Sequence, residues 1–279
     1  MTQATTVPTF ALRDGVEIPQ LGFGVFQVPP DETRRAVEEA FDAGYRHIDT
    51  AAAYRNEAGV GAAMEAAAIP REEVFVTTKL WNSKQGYDST LRAFERSREQ
   101  LGFDYVDLYL IHWPVPTEGR FLDTWRAFER IQDEGGSRSI GVSNFRIEDL
   151  ERLQRGAERL PTVNQIELHP HLQQAELRAW HFEHGVATEA WSPLVQGALL
   201  GEPAIVEIAE RHGRTPAQAI LRWHLEIGNI VIPKSVTPAR IRENFDVFDF
   251  ELSAEDMREI SALDVGQRIG PDPATFVAP

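Results

Sequence analysis

Four residues able to move or steer a proton stand at or just beyond the ends of short apolar runs. Asp49 closes Arg46-His47-Ile48, and Tyr54 follows it across the small-residue loop Thr50–Ala53. Lys79 ends Thr77-Thr78-Lys79, and His112 ends Leu110-Ile111-His112. In a parallel barrel every strand delivers its last residues to one rim. An Asp, a Tyr, a Lys and a His brought to one rim make a proton-transfer constellation. Singly, each has an ordinary use as a loop cap, a surface aromatic or a satisfied strand-end group. The spacing establishes only that they can converge.

Further strand ends add groups of a different kind. Gly141-Val142-Ser143-Asn144 ends in a hydroxyl and an amide, and Val163–Glu167 carries Gln165. Val186–Trp191 ends in an indole suited to stacking on a flat ring, although barrel-core packing is its other use. The segment Lys234-Ser235-Val236-Thr237-Pro238-Ala239-Arg240 combines a lysine, a hydroxyl, a helix start capped by Thr237 and an arginine one turn in. That makes an anion pocket; the plainer alternative is a solvated basic helix start. Phe26, Trp81 and Trp113, each near a strand end, are the candidates to line a substrate pocket and favour an apolar or sugar-stacking compound.

The elements that must position these groups alternate strand and helix along the chain. Thr9–Arg13 and Val16–Ile18 flank Asp14-Gly15, a two-residue hairpin signal. Strands follow at Leu21–Val25, His47–Asp49, Phe75–Lys79, Asp107–His112, Ile140–Ser143, Val163–Glu167, Val186–Trp191 and Ile230–Pro233. Between them run helical periodicities. The first is capped by Asp31, buries Ala36, Val37, Ala40 and Phe41, and ends at Gly44. Thr215-Pro216-Ala217-Gln218 is a capping box with proline at the first helical position. Eight strands alternating with helices require a parallel sheet. The stretch from Gly22 gives only G-x-G-x-x-Q and opens no helix, so a doubly wound dinucleotide fold is rejected. The expectation is one domain over residues 1–279, an α/β fold closed as a (β/α)8 TIM barrel, with a hairpin in 1–20, extra C-terminal helices and a tail over 264–279. The proline-rich end of that tail, from Gly270, cannot form a helix and either closes over the rim or stays mobile.

Composition narrows the function classes. The 279 residues suffice for one barrel, which typically needs about 250. A formal charge of −15 repels nucleic acid and anionic membranes, so neither is expected as a partner. No apolar run reaches the length of a membrane span, the N-terminus lacks the pattern of a secretory signal, and cysteine is absent. A cytoplasmic monomer with no metal in its chemistry is the expectation. Lys79, Lys84 and Lys234 are the only lysines, and two of them fall inside the segments singled out above.

DTAAAYRNE, TTKLW, YLIHWP, SIGVSN and IPKS resemble, in order and spacing, the signatures of the aldo-keto reductases. The resemblance is nearest to the bacterial 2,5-diketo-D-gluconate reductases and runs from about Thr9 to Asp272. It implies a hairpin plugging the barrel bottom and NADPH-dependent reduction of an aldehyde, ketoaldehyde or keto-sugar acid such as 2,5-diketo-D-gluconate. It also implies roles: Tyr54 as general acid, Lys79 lowering its pKa, Asp49 holding Lys79, and His112 orienting the substrate oxygen. Ser143, Asn144 and Gln165 would meet the nicotinamide carboxamide, and Trp191 its ring. The loop Ser192–Gly197, with Leu194 and Gln196, would cover the pyrophosphate. Lys234, Ser235, Val236, Thr237 and Arg240 would hold the 2′-phosphate of NADP, and Glu243 and Asn244 the adenine. Relatives often carry an arginine where Thr237 stands, which removes one phosphate contact here. Two rival functions share the fold. A glycoside hydrolase would use Glu167 and Glu189 as paired carboxylates, and an NADP(H)-sensing module would keep the phosphate pocket without needing the proton groups. Arg268 is read as a surface arginine.

Overall fold

The computed structural model describes residues 7–277. Strands β1 (Thr9–Ala11) and β2 (Glu17–Pro19) pair antiparallel ahead of the main sheet. Their connection corrects the expected two-residue turn. The Leu12 N–H donates to the Val16 carbonyl at 2.8 Å around a three-residue loop, Arg13–Gly15, with Gly15 at φ +85°. An Asp-Gly pair fits the end of a type I turn followed by a left-handed residue as well as it fits a two-residue turn. Asp14 accepts from Ser139 Oγ at 2.7 Å, tying the hairpin to the barrel. Leu12 and Ile18 pack with Phe75, Leu108, Leu110 and Val163 in a lower core, so the hairpin plugs the end of the barrel where the strands begin.

Eight strands follow: β3 (Phe23–Gly24), β4 (His47–Asp49), β5 (Phe75–Leu80), β6 (Val106–Ile111), β7 (Ser137–Ser143), β8 (Val163–Glu167), β9 (Ala187–Trp191) and β10 (Ile230–Val231). They lie side by side in chain order, all parallel. A bridge between Leu21 and Val231 joins the first to the last. Every residue of β5 and β6 is buried, as expected of strands covered on both faces. The first and last strands are shorter than expected. Pro233 has no N–H to donate, and the Gly22 and Gly24 N–H groups donate singly to the Val231 and Pro233 carbonyls at 2.9 and 3.0 Å.

The covering helices are α1 (Pro30–Ala43), α2 (Glu57–Ala67), α3 (Tyr87–Leu101), α4 (Phe121–Asp133), α5 (Ile147–Gly156), α6 (Ala175–His184), α7 (Pro203–Arg211), α8 (Pro216–Glu226), α9 (Pro238–Phe245) and α10 (Ala254–Ser261). Asp31 does not cap α1. The Pro29-Pro30 pair starts the helix two residues earlier, and Asp31 lies in its first turn. The capping box of α8 forms as the sequence predicts, with the Thr215 hydroxyl accepting from the Gln218 N–H. Among the described residues no helix is long and apolar enough to cross a membrane.

Candidate active site

The strand register sets the site. Asp49 pairs with Thr77, Lys79 with Leu110, Ser143 with Gln165, and Gln165 with Glu189, a register that brings Asp49, Lys79, Ser143 and Gln165 together toward the rim where the strands end. Tyr54 reaches it from a single 3-10 turn, Ala52–Tyr54, where a plain loop was expected. Asn56 locks that turn in place. Its Oδ1 accepts from Thr50 Oγ1 at 2.9 Å, and its Nδ2 donates to the Val25 and Val28 carbonyls at 2.9 and 3.2 Å. Only the position of Asn56 before a helix was legible in the sequence.

Lys79 is fully buried, and its Nζ donates to Asp49 Oδ1 at 2.6 Å, the Thr50 carbonyl at 3.0 Å and Tyr54 OH at 3.4 Å. Burial alone would strip the charge from this ammonium, but Asp49 and Tyr54 hold its pKa above the ordinary lysine value. Burial also pushes the Tyr54 phenol up, and Lys79 opposes that rise. His112 lies edge-on to Tyr54, ring centres 5.7 Å apart. Burial, then Lys79, keeps its imidazole well below its usual pKa, so it is neutral. Its Nδ1 is buried without a hydrogen-bond partner.

These groups border a cavity of about 1250 Å³ at the strand ends. Phe26, Trp81 and Trp113 line it, with Phe276 from the tail, a residue that no local sequence pattern assigns to the pocket. Phe276 packs on Trp113 with ring centres 4.5 Å apart. Farther along lie Ser143, Asn144, Gln165, Trp191, Ser192, Leu194, Gln196, Gly197, Lys234, Ser235, Arg240, Glu243 and Asn244. Val236 and Thr237 are exposed and do not border the cavity. Nor does the Thr237 hydroxyl cap α9; its backbone N–H instead donates to Ser235 Oγ at 3.1 Å. The sequence suggests a cap because threonine precedes proline there, but the Thr237 hydroxyl accepts no N–H from the first turn of α9.

Several of these groups hold one another. Trp191 Nε1 donates to Asn144 Oδ1 at 2.9 Å, and Asn144 Nδ2 donates to the His112 carbonyl at 3.0 Å. The Ser143 hydroxyl donates to the Gln165 carbonyl at 2.8 Å. Glu243 Oε1 accepts from Thr215 Oγ1 at 2.8 Å. At the mouth, Lys234 and Arg240 are exposed and make no hydrogen bond or ion pair with any described residue. Two unpaired cations at one cavity edge of a strongly acidic chain suit a phosphate. With Trp191 as a stacking face and Gly197 at φ +96°, the residues present fit a phosphorylated dinucleotide.

Glu167 and Glu189 are fully buried and border no part of the cavity, so no hydrolase pair faces a substrate. Glu167 instead anchors the tail. Its carboxylate accepts from the Ile269 and Gly270 N–H groups at 2.6 and 3.1 Å and contacts His169 Nε2 at 3.1 Å. Arg268, expected at the surface, sits 3.6 Å from the same carboxylate. Tail closure therefore depends on an acceptor-only group. Glu167→Gln replaces one acceptor oxygen with a donor that faces backbone N–H groups. We expect trypsin to cut after Arg268 several-fold faster in that variant, and an unchanged cleavage rate would remove the anchor.

The pattern of the Aldo/keto reductase family matches residues 20–265. An aldo-keto reductase of Mycolicibacterium smegmatis is 60% identical over 96% of this chain and 98% of its own length. The methylglyoxal reductase DkgA of Yersinia pestis is 53% identical over 98% of each chain. Among solved structures, a mutant of Gox0644 in complex with NADPH superposes with a TM-score of 0.94 at 49% identity, covering 98% of this chain and all of that one.

Proposed function

The chain belongs to the aldo/keto reductase family, and from that footing we propose that it reduces small ketoaldehydes of the methylglyoxal type with Tyr54 as the acid. It is an NADP-dependent oxidoreductase acting on carbonyl groups. The observation that carries the proposal is the contact chain Asp49–Lys79–Tyr54 beside a neutral His112 at an aromatic-walled cavity. When bound, NADPH supplies the hydride that reduces the carbonyl carbon.

The protein's own residues handle position and proton. Trp81, Trp113 and Phe276 wall off the reacting end and exclude water. Neutral His112 can donate one hydrogen bond to the substrate oxygen and orient it without competing as a proton source. Tyr54 gives its hydroxyl proton to that oxygen as negative charge grows there, completing the alcohol. Lys79, 3.4 Å from the phenol, stabilises the phenolate left behind, and Asp49 keeps Lys79 charged for that moment. A ketoaldehyde suits the site because it is small and its reacting carbon is unhindered. The Yersinia relative's name supports that class over a keto-sugar acid.

NADPH consumption with methylglyoxal, simple aldehydes, ketoses and 2,5-diketo-D-gluconate tests the proposal. Turnover ranking methylglyoxal first is expected; preference for the sugar acid would reassign the substrate. Tight NADPH binding with no turnover at all would favour a sensing role. Lys234→Ala combined with Arg240→Ala should cut the NADPH-over-NADH ratio of kcat/KM about tenfold, because NADH lacks the phosphate those exposed cations would pair. An unchanged ratio would move the phosphate elsewhere.

A further inference from the structure

Below Asp49 the barrel holds a second carboxyl group that the scheme above does not use. Glu189 on β9 faces Gln165 on β8 and is fully buried. One nitrogen, Gln165 Nε2, donates to Asp49 Oδ2 at 2.8 Å and to Glu189 Oε2 at 2.9 Å. An amide nitrogen carries two hydrogens, so both are spent on carboxyl groups. The amide oxygen of Gln165 is thereby left as the atom to meet the cofactor.

His47 decides what the other Glu189 oxygen carries. Oε1 is buried without a hydrogen-bond partner, 3.6 Å from His47 Nε2. On the far side of the ring, His47 Nδ1 lies 3.3 Å from the Pro19 carbonyl, which can only accept, so Nδ1 holds the hydrogen. Burial pushes this imidazole down to about 3, which leaves it neutral with Nε2 as an acceptor. Thr77 Oγ1 also lies near Nε2, at 3.2 Å. An ionised Oε1 would set lone pair against lone pair in a dry interior, and a proton on Oε1 relieves that repulsion. The seat of the ring is built into the backbone. A Cβ at Gly22 would fall 2.5 Å from His47 Nδ1, so no side chain can replace that glycine while the ring stays put.

The charged and titratable groups that act on or contact Glu189 are Asp49 and His47 from β4 and Lys79 from β5; Gln165 from β8 is neutral. Glu189 in turn acts on the Tyr54 phenol. One ammonium would then serve two carboxylates, and Lys79 is already bonded to Asp49.

We propose that Glu189 is held as a neutral carboxylic acid and acts as a positioning residue, fixing the Gln165 amide against Asp49 and keeping a further negative charge away from Lys79 and Tyr54. Its consequence for turnover rests on the proposed roles of Asp49, Lys79 and Tyr54. Burial, then Asp49, pushes the Glu189 carboxyl up to about 8. Ionisation above that pH adds a negative charge that holds the Tyr54 proton more tightly, so the acid weakens and kcat falls.

The direct test is infrared spectroscopy of the ligand-free protein. The parent should show the C=O band of a protonated carboxyl that titrates away near pH 8, and Glu189→Gln should lack it. No such band in the parent, or its persistence in the variant, overturns the protonated state. Kinetics test the positioning role. The ratio of kcat at about pH 9 to kcat at about pH 7 should rise at least about threefold in Glu189→Gln; an identical alkaline fall in both proteins overturns that role. Stability gives a third readout. The unfolded carboxyl titrates near 4.5 and the folded one near 8. The parent therefore loses stability relative to Glu189→Gln as pH rises from the first value to the second, then holds constant. A pH-independent difference between the two would count against the neutral carboxyl. The infrared result does not depend on any substrate, so a parent that shows the band but reduces nothing would fault the proposed reaction and leave this assignment standing.

Discussion

Replacing Tyr54 with phenylalanine should lower kcat by about 10²–10⁴-fold, the usual contribution of one positioned acid, while the Kd for NADPH stays within about twofold. The substitution removes one oxygen and little shape. The ring keeps its contact with Phe26, 5.1 Å between centres, and its edge-on contact with His112. The cavity wall survives, and so does the cofactor's path along Trp191 and Lys234. What disappears is the proton and the phenolate that Lys79 stabilises. Lys79 keeps Asp49 at 2.6 Å and the Thr50 carbonyl at 3.0 Å, so no buried charge is left stranded. Stability should therefore change little, which separates this variant from one that merely unfolds. Stopped-flow single turnover with excess enzyme reads the chemical step directly. A Tyr54→Phe enzyme with the parent's rate would assign the acid to another group, and His112 would be the next to test.

Much of this arrangement was legible in the sequence because the reacting groups are contiguous with strands. A run such as Val-Thr-Thr-Lys is both a buried strand and the carrier of its own terminal lysine, so finding the strand places the residue. The closed sheet followed from counting alternations. Lateral relations were not legible. Glu167 and Glu189 both stand near strand ends, where a catalytic pair is only the weaker reading and neither one's partner can be named. In the sheet Glu189 pairs with Gln165 and Glu167 with Trp191, so one turns into the barrel centre and the other receives the tail. Chain order carries strand ends but not which neighbour a side chain meets. Phe276 illustrates the same limit, since its partner Trp113 lies across the rim and no local pattern joins them. Turn length and capping failed for a different reason. Asp-Gly satisfies two hairpin geometries, and a threonine before proline caps a helix only if its hydroxyl turns to accept an N–H of the first turn, which residue type alone does not dictate.

The tail and the cofactor wall are mechanically joined. A Cβ on Gly270 would fall 2.4 Å from the Trp191 ring, so the tail backbone lies directly on the indole expected to stack on nicotinamide. Trp191 is held from the other side by Asn144. The Glu167 anchor thus presses one residue against the cofactor wall and another, Phe276, against the substrate wall. Cofactor geometry and substrate enclosure share one restraint, so substitutions in the tail should move both constants together.

Asp49→Asn should be the most damaging of the conservative substitutions, to stability as well as to turnover. The parent pair is fully buried, Lys79 Nζ 2.6 Å from Asp49 Oδ1. Removing one partner of such a pair typically costs about 3–5 kcal/mol because the remaining charge is left uncompensated. For a chain of this size that is a melting-temperature loss on the order of ten degrees. The pH dependence identifies the cause. In the parent, burial lowers the Lys79 pKa but Asp49 and Tyr54 raise it more, for a net rise. With asparagine the largest opposing influence is gone, and the folded pKa should drop below the unfolded value of 10.5. A base depressed in the folded state binds its proton less tightly there than in the unfolded chain. Its penalty is therefore full at low pH and shrinks as pH climbs toward 10.5. The melting-temperature gap between Asp49→Asn and the parent should accordingly narrow from about pH 7 to about pH 10. A gap that stays constant would mean the loss is packing or hydrogen bonding rather than a stranded ammonium. Turnover should fall as well, since Lys79 loses the partner that keeps it charged and placed beside the phenol. If Asp49→Asn keeps full activity, the Asp49–Lys79–Tyr54 chain is not the route by which the substrate oxygen is protonated.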